Sequence, residues 1–347
     1  MIISKESLLR IARDTVRERT QGEFARKYIL SIFLTGSLLT EDPLMGNSTD
    51  IDLVFIHSMP PALRREVIPL NPDIHLDIKH NPREEYEPAR NLRTNPWIGP
   101  EIYRAVQLYD PDHFFDFTQA AVRDKYDDPL NAHARASLNA GHARAIWGDL
   151  EKDPGTGKST QPKMLLRYLK SISHAANVLP VIKDPILGER RFLLDFPAIA
   201  NAFDLPELGG ELYSLLGAGQ LKAEKLDEWL KDWEKDLVEA GTDAADGDAR
   251  IHPARVPYYR SGFETAINEG TPSAILWPLL HTWSLAVSKL PIEKQSAWKD
   301  ACQSLGMLNE GMTSNLHKLD LFLDRLEGML ESWKGIHGIN ESDREEK

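Results

Sequence analysis

Three short apolar runs in the first 80 residues constrain the fold of this 347-residue chain most strongly. Runs of this length bounded by turn residues are typical of buried strands. They cover residues 28–34, 53–56 and 74–78. The first run leads into the turn Gly36-Ser37, the second is opened by Asp50-Ile51-Asp52, and the third contains Asp77. The sequence therefore predicts a small sheet with a Gly-Ser turn and three aspartates at one end.

The spacing of the aspartates determines what they can do together. Successive side chains of a strand point to opposite faces, so Asp50 and Asp52 present two carboxylates on one side. Such a pair suits Mg²⁺, which also keeps waters and takes phosphate oxygens as ligands. Asp77, on a neighbouring strand, completes the cluster, and an aspartate within Ile-His-Leu-Asp-Ile is costly to bury without a partner. A single Asp-x-Asp usually marks a turn or a helix cap, but this ordered set favours a metal site.

The Gly-Ser turn adds an element that can bind phosphate. Gly36 lets the backbone come close to a phosphate group, and Ser37 offers its hydroxyl. A helix that starts at Ser37 would direct free backbone N–H groups at an anion. With the aspartates, this predicts a chain that binds a nucleoside triphosphate through divalent metal and transfers its nucleotidyl group.

These motifs resemble those of a known superfamily. Gly36-Ser37, Asp50-Ile51-Asp52 and Asp77 are similar to the pattern of the nucleotidyltransferases typified by DNA polymerase beta. The flanking sequence most resembles the aminoglycoside and lincosamide nucleotidyltransferases and their uncharacterised relatives, and Tyr103–Pro111 resembles a later strand of that domain. The chain departs from the pattern at Leu38–Pro43, where minimal members carry an Arg-Gly pair, so the resemblance assigns no phosphate-binding arginine there.

The resemblance implies two Mg²⁺ ions as cofactors and ATP as co-substrate, from which AMP passes to a hydroxyl of an acceptor. It implies that Asp50 and Asp52 hold the metal, while Asp77 joins the second ion or takes the proton of the acceptor. Gly36 and Ser37 are then the residues that hold the triphosphate.

A helical domain covers the nucleotide in such transferases and supplies cationic side chains to the triphosphate. Arg167 and Lys170, on one face of a predicted helix, are the candidates here. A solvated cationic face is the alternative interpretation. His75 alternates with Asp77, so it is predicted to share the face of that aspartate.

The predicted fold class is an α/β N-terminal nucleotidyltransferase domain, with a small mixed sheet and helices, followed by an all-α C-terminal region. We expect strands near 29–35, 51–57, 73–79 and 102–109 after a helix over 4–28, and only helices beyond residue 126. The predicted domains are the nucleotidyltransferase domain 1–125, a helical domain 126–240 that closes the cleft, a C-terminal helical region 241–335 and a charged tail 336–347.

The composition indicates the general class of protein to which this chain belongs. An apolar content of 41% and a charged content of 27% are typical of a soluble globular protein. No stretch is apolar enough to cross a membrane, and the N-terminus does not resemble a signal peptide. One cysteine, Cys302, excludes an internal disulfide, so we expect a cytoplasmic enzyme.

The net charge of −12 favours a small acceptor, such as a cationic aminoglycoside-like compound, over a nucleic acid, which usually meets a basic surface. Two alternatives stay open: a transferase of the toxin–antitoxin type that modifies a protein or tRNA, and a catalytically inactive nucleotide-binding scaffold. The sequence does not predict the oligomeric state or the identity of the acceptor.

Overall fold

The computed structural model describes residues 4–152, 161–183, 186–241 and 248–339, which form two compact units. The first unit takes its residues from 1–93, 97–126 and 241–270, and the second from 94–96, 127–240 and 271–347. This division differs from the predicted domains, because residues 248–270, the return segment, belong to the unit that contains the sheet. Residues 340–347 of the predicted tail lie outside the described residues.

A mixed five-stranded sheet forms the centre of the first unit. Its strands are β1 (Ile29–Thr35), β2 (Thr49–His57), β3 (Arg65–Asn71), β4 (Ile74–Pro82) and β5 (Val106–Tyr109), in the order β3-β4-β2-β1-β5. β2 and β4 pair in parallel, and the other neighbours are antiparallel. The parallel pair lies at the middle of the sheet and carries all three aspartates.

Helices cover both faces of this sheet. The helices of the first unit are α1 (Lys5–Arg19), α2 (Glu23–Tyr28), α3 (Ile98–Arg104), α4 (Phe114–Arg123) and, in the return segment, α11 (Val256–Asn268). α1 buries Leu8, Ala12 and Val16 against one face of the sheet. The other face packs its apolar residues, among them Phe33 and Val54, against α3 and α4. The alternating side chains of β2 therefore divide between two cores.

Three local predictions need correction. A strand that is absent from the expected set, β3, lies between the second and third runs, and it tolerates Pro69 because it lies at the edge of the sheet. The predicted strand 102–109 begins as helix α3, and only β5 is extended. The predicted helix 4–28 is two helices, divided at Gly22, whose φ is +101°.

The second unit is helical. Its helices are α5 (Pro129–Lys152), α6 (Gln161–Ala176), α7 (Pro180–Lys183), α8 (Phe192–Ala202), α9 (Glu207–Leu215), α10 (Leu226–Ala240), α12 (Leu276–Val287), α13 (Ser296–Ser304) and α14 (Glu310–Ile336). The N-terminal mixed sheet with helices and the helical region after it confirm the predicted fold class. Within the described ranges, no helix combines the length and apolar character that crossing a bilayer requires.

Candidate functional site

The parallel pairing of β2 and β4 brings the predicted metal ligands onto one face. Asp50 lies opposite His75, and Asp52 lies opposite Asp77. The intervening Ile51 points to the other face, where it joins the core under α1. The structure thus brings together the three aspartates and His75, as their spacing predicted.

The Gly-Ser turn lies directly against one of these carboxylates. Gly36 has a φ of +77°, and a Cβ atom built on it would lie 1.8 Å from Oδ2 of Asp52. Only glycine fits this backbone conformation and this approach. Ser37 begins a single 3₁₀ turn rather than a longer helix, and its Oγ lies 3.4 Å from Oγ1 of Thr49.

Asp77 is held by an arginine of the adjacent edge strand. Arg65 on β3 donates from Nε to Oδ1 of Asp77 at 2.6 Å and from Nη2 to Oδ2 at 2.5 Å. Burial alone would raise the pKa of Asp77, but the hydrogen bonds from Arg65 and the charge of Arg255 lower it to about 2. Asp77 is therefore ionised and tightly engaged.

A second arginine joins Asp50 to Asp77. Arg255 of the return segment donates from Nη2 to Oδ2 of Asp50 at 3.2 Å, and its Nη1 lies 3.2 Å from Oδ2 of Asp77. Its side chain is only 3% exposed and packs on the rings of Tyr258 and Tyr259. The guanidinium is thus enclosed with the two carboxylates, which compensate the cost of burying its charge.

The return segment is anchored to the loop that precedes the aspartates. Ser48 donates from Oγ to the backbone oxygen of Tyr258 at 3.3 Å. Gly46, with a φ of +66°, lies so close to α11 that a Cβ atom would be 2.4 Å from Oγ1 of Thr265. Arg255 therefore reaches the carboxylates from the start of a helix that is anchored to this loop.

Asp52 differs from the other two aspartates. Among the described residues it has no ion pair, although Lys79 lies near it and is itself paired with Glu101 at 2.8 Å. Burial raises the pKa of Asp52 well above its usual value, and the negative charges of Asp50 and Asp77 raise it further. A carboxylate in this condition attracts a cation.

The donor atoms fit a divalent metal. Asp50, His75 and Asp77 each place one donor atom within 4.8 Å of the others, and all three residues are buried. Arg255 already neutralises two members of this group, whereas Oδ1 of Asp50 has no hydrogen-bond partner in the described part of the chain, and Asp52 lies on the same strand face. Two carboxylates on one strand face are oxygen ligands of the kind that Mg²⁺ takes.

Two predicted site residues lie in the other unit. Arg167 and Lys170 are exposed on α6, as their helical spacing predicted. Nη2 of Arg167 lies 3.9 Å from Oδ2 of Asp149 on α5, which is a weak surface pair. Their contact with a triphosphate stays a prediction.

Sequence reasoning missed Arg65, Arg255 and Lys79. Alternation from Asp77 along β4 is the signal that could have found Lys79, since residues two apart share a face. Arg65 begins β3, the strand that is absent from the expected set. Arg255 lies far along the chain, in Pro-Ala-Arg-Val-Pro, where nothing local indicates a carboxylate partner.

Comparisons with known proteins add little to this geometry. No family model matches the chain, and no curated protein matches it. A nucleotidyltransferase-like protein from Exiguobacterium sibiricum 255-15 is among the solved structures found, with 11% sequence identity over 74% of this chain and 79% of that one. The TM-score of this pair is 0.28, so nothing about the site is drawn from it.

Proposed function

We propose that the protein is a metal-dependent nucleotidyltransferase that moves AMP from ATP to a hydroxyl group of a small acceptor molecule. The observation that carries the proposal is the joint placement of Asp50 and Asp52 on one face of β2, with Gly36 against Asp52 and Asp77 in register on β4. This arrangement supports the proposal because it puts carboxylates of the kind that Mg²⁺ takes as ligands beside a turn that a phosphate can approach.

Each proposed residue has a separate role in the displacement of pyrophosphate from ATP. The acceptor oxygen bonds to the α-phosphorus of ATP while the bond to the bridging oxygen breaks, and pyrophosphate leaves with the electron pair. Asp50 and Asp52 would hold Mg²⁺, which supplies charge compensation for the attacking and leaving oxygens. Gly36 and Ser37 would hold the phosphates through the backbone and a hydroxyl.

The hydroxyl proton must go to a base. Taking that proton is one of the two roles expected for Asp77, but a carboxylate whose pKa is about 2 is a weak base near neutrality. Both of its oxygens also accept hydrogen bonds from Arg65. In this proposal Asp77 mainly positions the two arginines, and the proton passes to solvent or to a group of the acceptor.

One observation favours a second candidate, an inactive nucleotide-binding scaffold. Arg65 and Arg255 neutralise Asp77, and Arg255 also pairs with Asp50, so two of three carboxylates have partners without any metal. A scaffold of this kind would bind ATP and leave it intact.

The test is a transfer assay with α-labelled ATP, Mg²⁺ and pooled small alcohols and aminoglycosides. We expect label to appear on an acceptor with wild-type protein and to be lost with Asp52→Asn, because Asp52 is the carboxylate that lacks a protein cation. Asp73→Asn, the same chemical change in the turn before β4, is the matched control and should keep full activity.

Failure of the assay would be informative when binding is measured beside it. Magnesium-dependent ATP binding without transfer to any acceptor would favour the scaffold. Equal transfer by wild type and Asp52→Asn would show that the assigned site is not where the chemistry occurs.

A further inference from the structure

The site holds more positive charge than a site built for two metal ions needs. Its three aspartates face two guanidinium groups, Arg65 and Arg255, in the same cluster. Arg255 alone contacts two carboxylates, Asp50 and Asp77, of the only His/Asp group with metal-binding geometry in the described chain. A divalent ion that bridged these two carboxylates would occupy the position of the guanidinium.

We infer that Arg255 is a resident cation that takes the place of one of the two metal ions predicted from the sequence. The site then binds a single divalent ion, on Asp50 and Asp52. Asp77 pairs with Arg65 and Arg255 and is not a ligand of a metal ion. This inference deepens the proposed function and rests on it for the role of the bound ion.

Arg255 has N–H groups that make no hydrogen bond within the described residues. Its Nη2 donates to Asp50, whereas Nε and Nη1 are buried and make no hydrogen bond among the described residues, although Nη1 lies 3.2 Å from Oδ2 of Asp77 in an ion pair. A buried donor without an acceptor is costly, so an oxygen of a bound substrate would be stabilised there. Arg255 can thus steady negative charge beside Asp50 and Asp77, which is the role of a second ion in a two-metal site.

The position of Arg255 in the chain and its packing on Tyr258 hold its guanidinium in the site. Arg255 ends the 3₁₀ turn Pro253–Arg255, directly before α11, and its guanidinium lies 5.2 Å from the ring centre of Tyr258. Tyr258 in turn meets His75 edge to face, with ring centres 4.9 Å apart. Removing Arg255 would leave Asp50 without a guanidinium partner and Asp77 with Arg65 alone. Because buried charges need a partner or a metal ion, the vacated position would favour a second cation.

The experiment counts bound Mn²⁺ on the full chain by equilibrium dialysis, with saturating α,β-methylene-ATP, which cannot be cleaved at the α–β position. Metal bound to nucleotide alone is subtracted from a protein-free chamber. The proteins compared are wild type, Arg255→Gln, Arg255→Met and the control Arg260→Gln, which removes an arginine that pairs with Glu264 within α11.

We expect one ion per chain in wild type and in Arg260→Gln, and two in both Arg255 variants. Mn²⁺ should also raise the Tm of the Arg255 variants more than that of wild type. Two ions in wild type would overturn the inference, as would a count that stays at one in the Arg255 variants. If neither Arg255 variant folds, the wild-type count decides.

The outcomes also separate this inference from the proposed function. One ion in wild type and two in the variants, with no nucleotidyl transfer by any of them, would support the inference and contradict the proposed function. Transfer by a wild-type chain that binds two ions would do the reverse. No bound ion in any protein would overturn both.

Discussion

At the scale of single residues, three aspartates have three different electrostatic environments within one site. They are Asp50, Asp52 and Asp77. Asp77 accepts from Arg65 and neighbours Arg255, which lowers its pKa to about 2. Asp50 shares the guanidinium of Arg255. Asp52 has its pKa raised by burial and by the other two carboxylates. The substitution that tests each one should therefore give a different result.

Asp52→Asn and Asp50→Asn should change stability in opposite directions in metal-free protein. A raised pKa means that ionised Asp52 destabilises the fold, by an amount that is absent below the unfolded-state pKa of 3.8 and grows as pH rises. Asp52→Asn should thus raise the Tm at neutral pH, with the gain vanishing at low pH. Asp50→Asn should lower the Tm, because breaking a buried ion pair costs about 3 kcal/mol or more.

Thermal unfolding with EDTA and then with Mg²⁺ checks this pair. Mg²⁺ should reverse the order of wild type and Asp52→Asn, since the ion stabilises only the protein that keeps both ligands. A lower Tm for Asp52→Asn in EDTA would show that Asp52 has a stabilising protein partner.

At the scale of elements, the candidate site lies on one turn and one parallel strand pair of the sheet. The sequence was sufficient to predict β1, β2 and β4, because each is a short apolar run with its polar residues at one end. It was insufficient for β3, because Pro69 and Pro72 remove the alternation that marks a strand. The ion pairs of Arg65 and Arg255 form only when distant segments come together in the fold, so the local spacing of residues does not predict them.

Gly36→Ala should abolish metal binding through the turn. The new Cβ would overlap Oδ2 of Asp52, which lies 1.8 Å from its position, so the carboxylate must move. Gly22→Ala is the matched control, because Gly22 also has a positive φ, of +101°, but a Cβ there would meet nothing within 4 Å. Both variants should lose some stability from backbone strain.

Mn²⁺ titration of the two glycine variants separates strain from displacement. We expect Gly22→Ala to bind as wild type does and Gly36→Ala to bind far more weakly. Equal binding by both would mean that the position of Asp52 relative to the turn does not matter.

A histidine pair at the other end of the sheet should make stability depend on pH. His57 donates from Nε2 to Nδ1 of His80 at 2.8 Å, and His80 donates from Nε2 to Glu66 at 2.7 Å, the roles that an ionised Glu66 imposes. Burial, and then the proximity of His80, lowers the pKa of His57 to about 4. Neutral His57 therefore stabilises the fold above the unfolded-state pKa of 6.5, and this contribution is lost as pH falls toward 4.

The measurement is the Tm of wild type and His57→Gln between pH 7 and pH 4. Other carboxylates and histidines titrate in both proteins, so the difference between the two curves isolates His57. We expect the wild-type curve to fall more steeply below pH 6.5. Parallel curves would mean that His57 titrates alike in the folded and unfolded chain.

At the scale of the whole molecule, the net charge of −12 bears on the acceptor. Binding to phosphate backbones depends on clustered lysine and arginine side chains and weakens steeply with salt. We expect no tight binding of tRNA at physiological ionic strength, measured by filter binding over a series of KCl concentrations. Tight binding with a steep salt dependence would instead favour the macromolecular acceptor of the toxin–antitoxin alternative.

The long separation between Asp50 and Arg255 has a consequence for the synthesis of the protein. These two partners are 205 residues apart, so Arg255 leaves the ribosome about 10–40 s after Asp50, at about 5–20 residues per second. During that interval the nascent sheet carries Asp50 without Arg255, its guanidinium partner. The carboxylate cluster is therefore completed late in translation. Until then Arg65 can pair with Asp77, whereas Asp50 depends on ions from the surrounding solution.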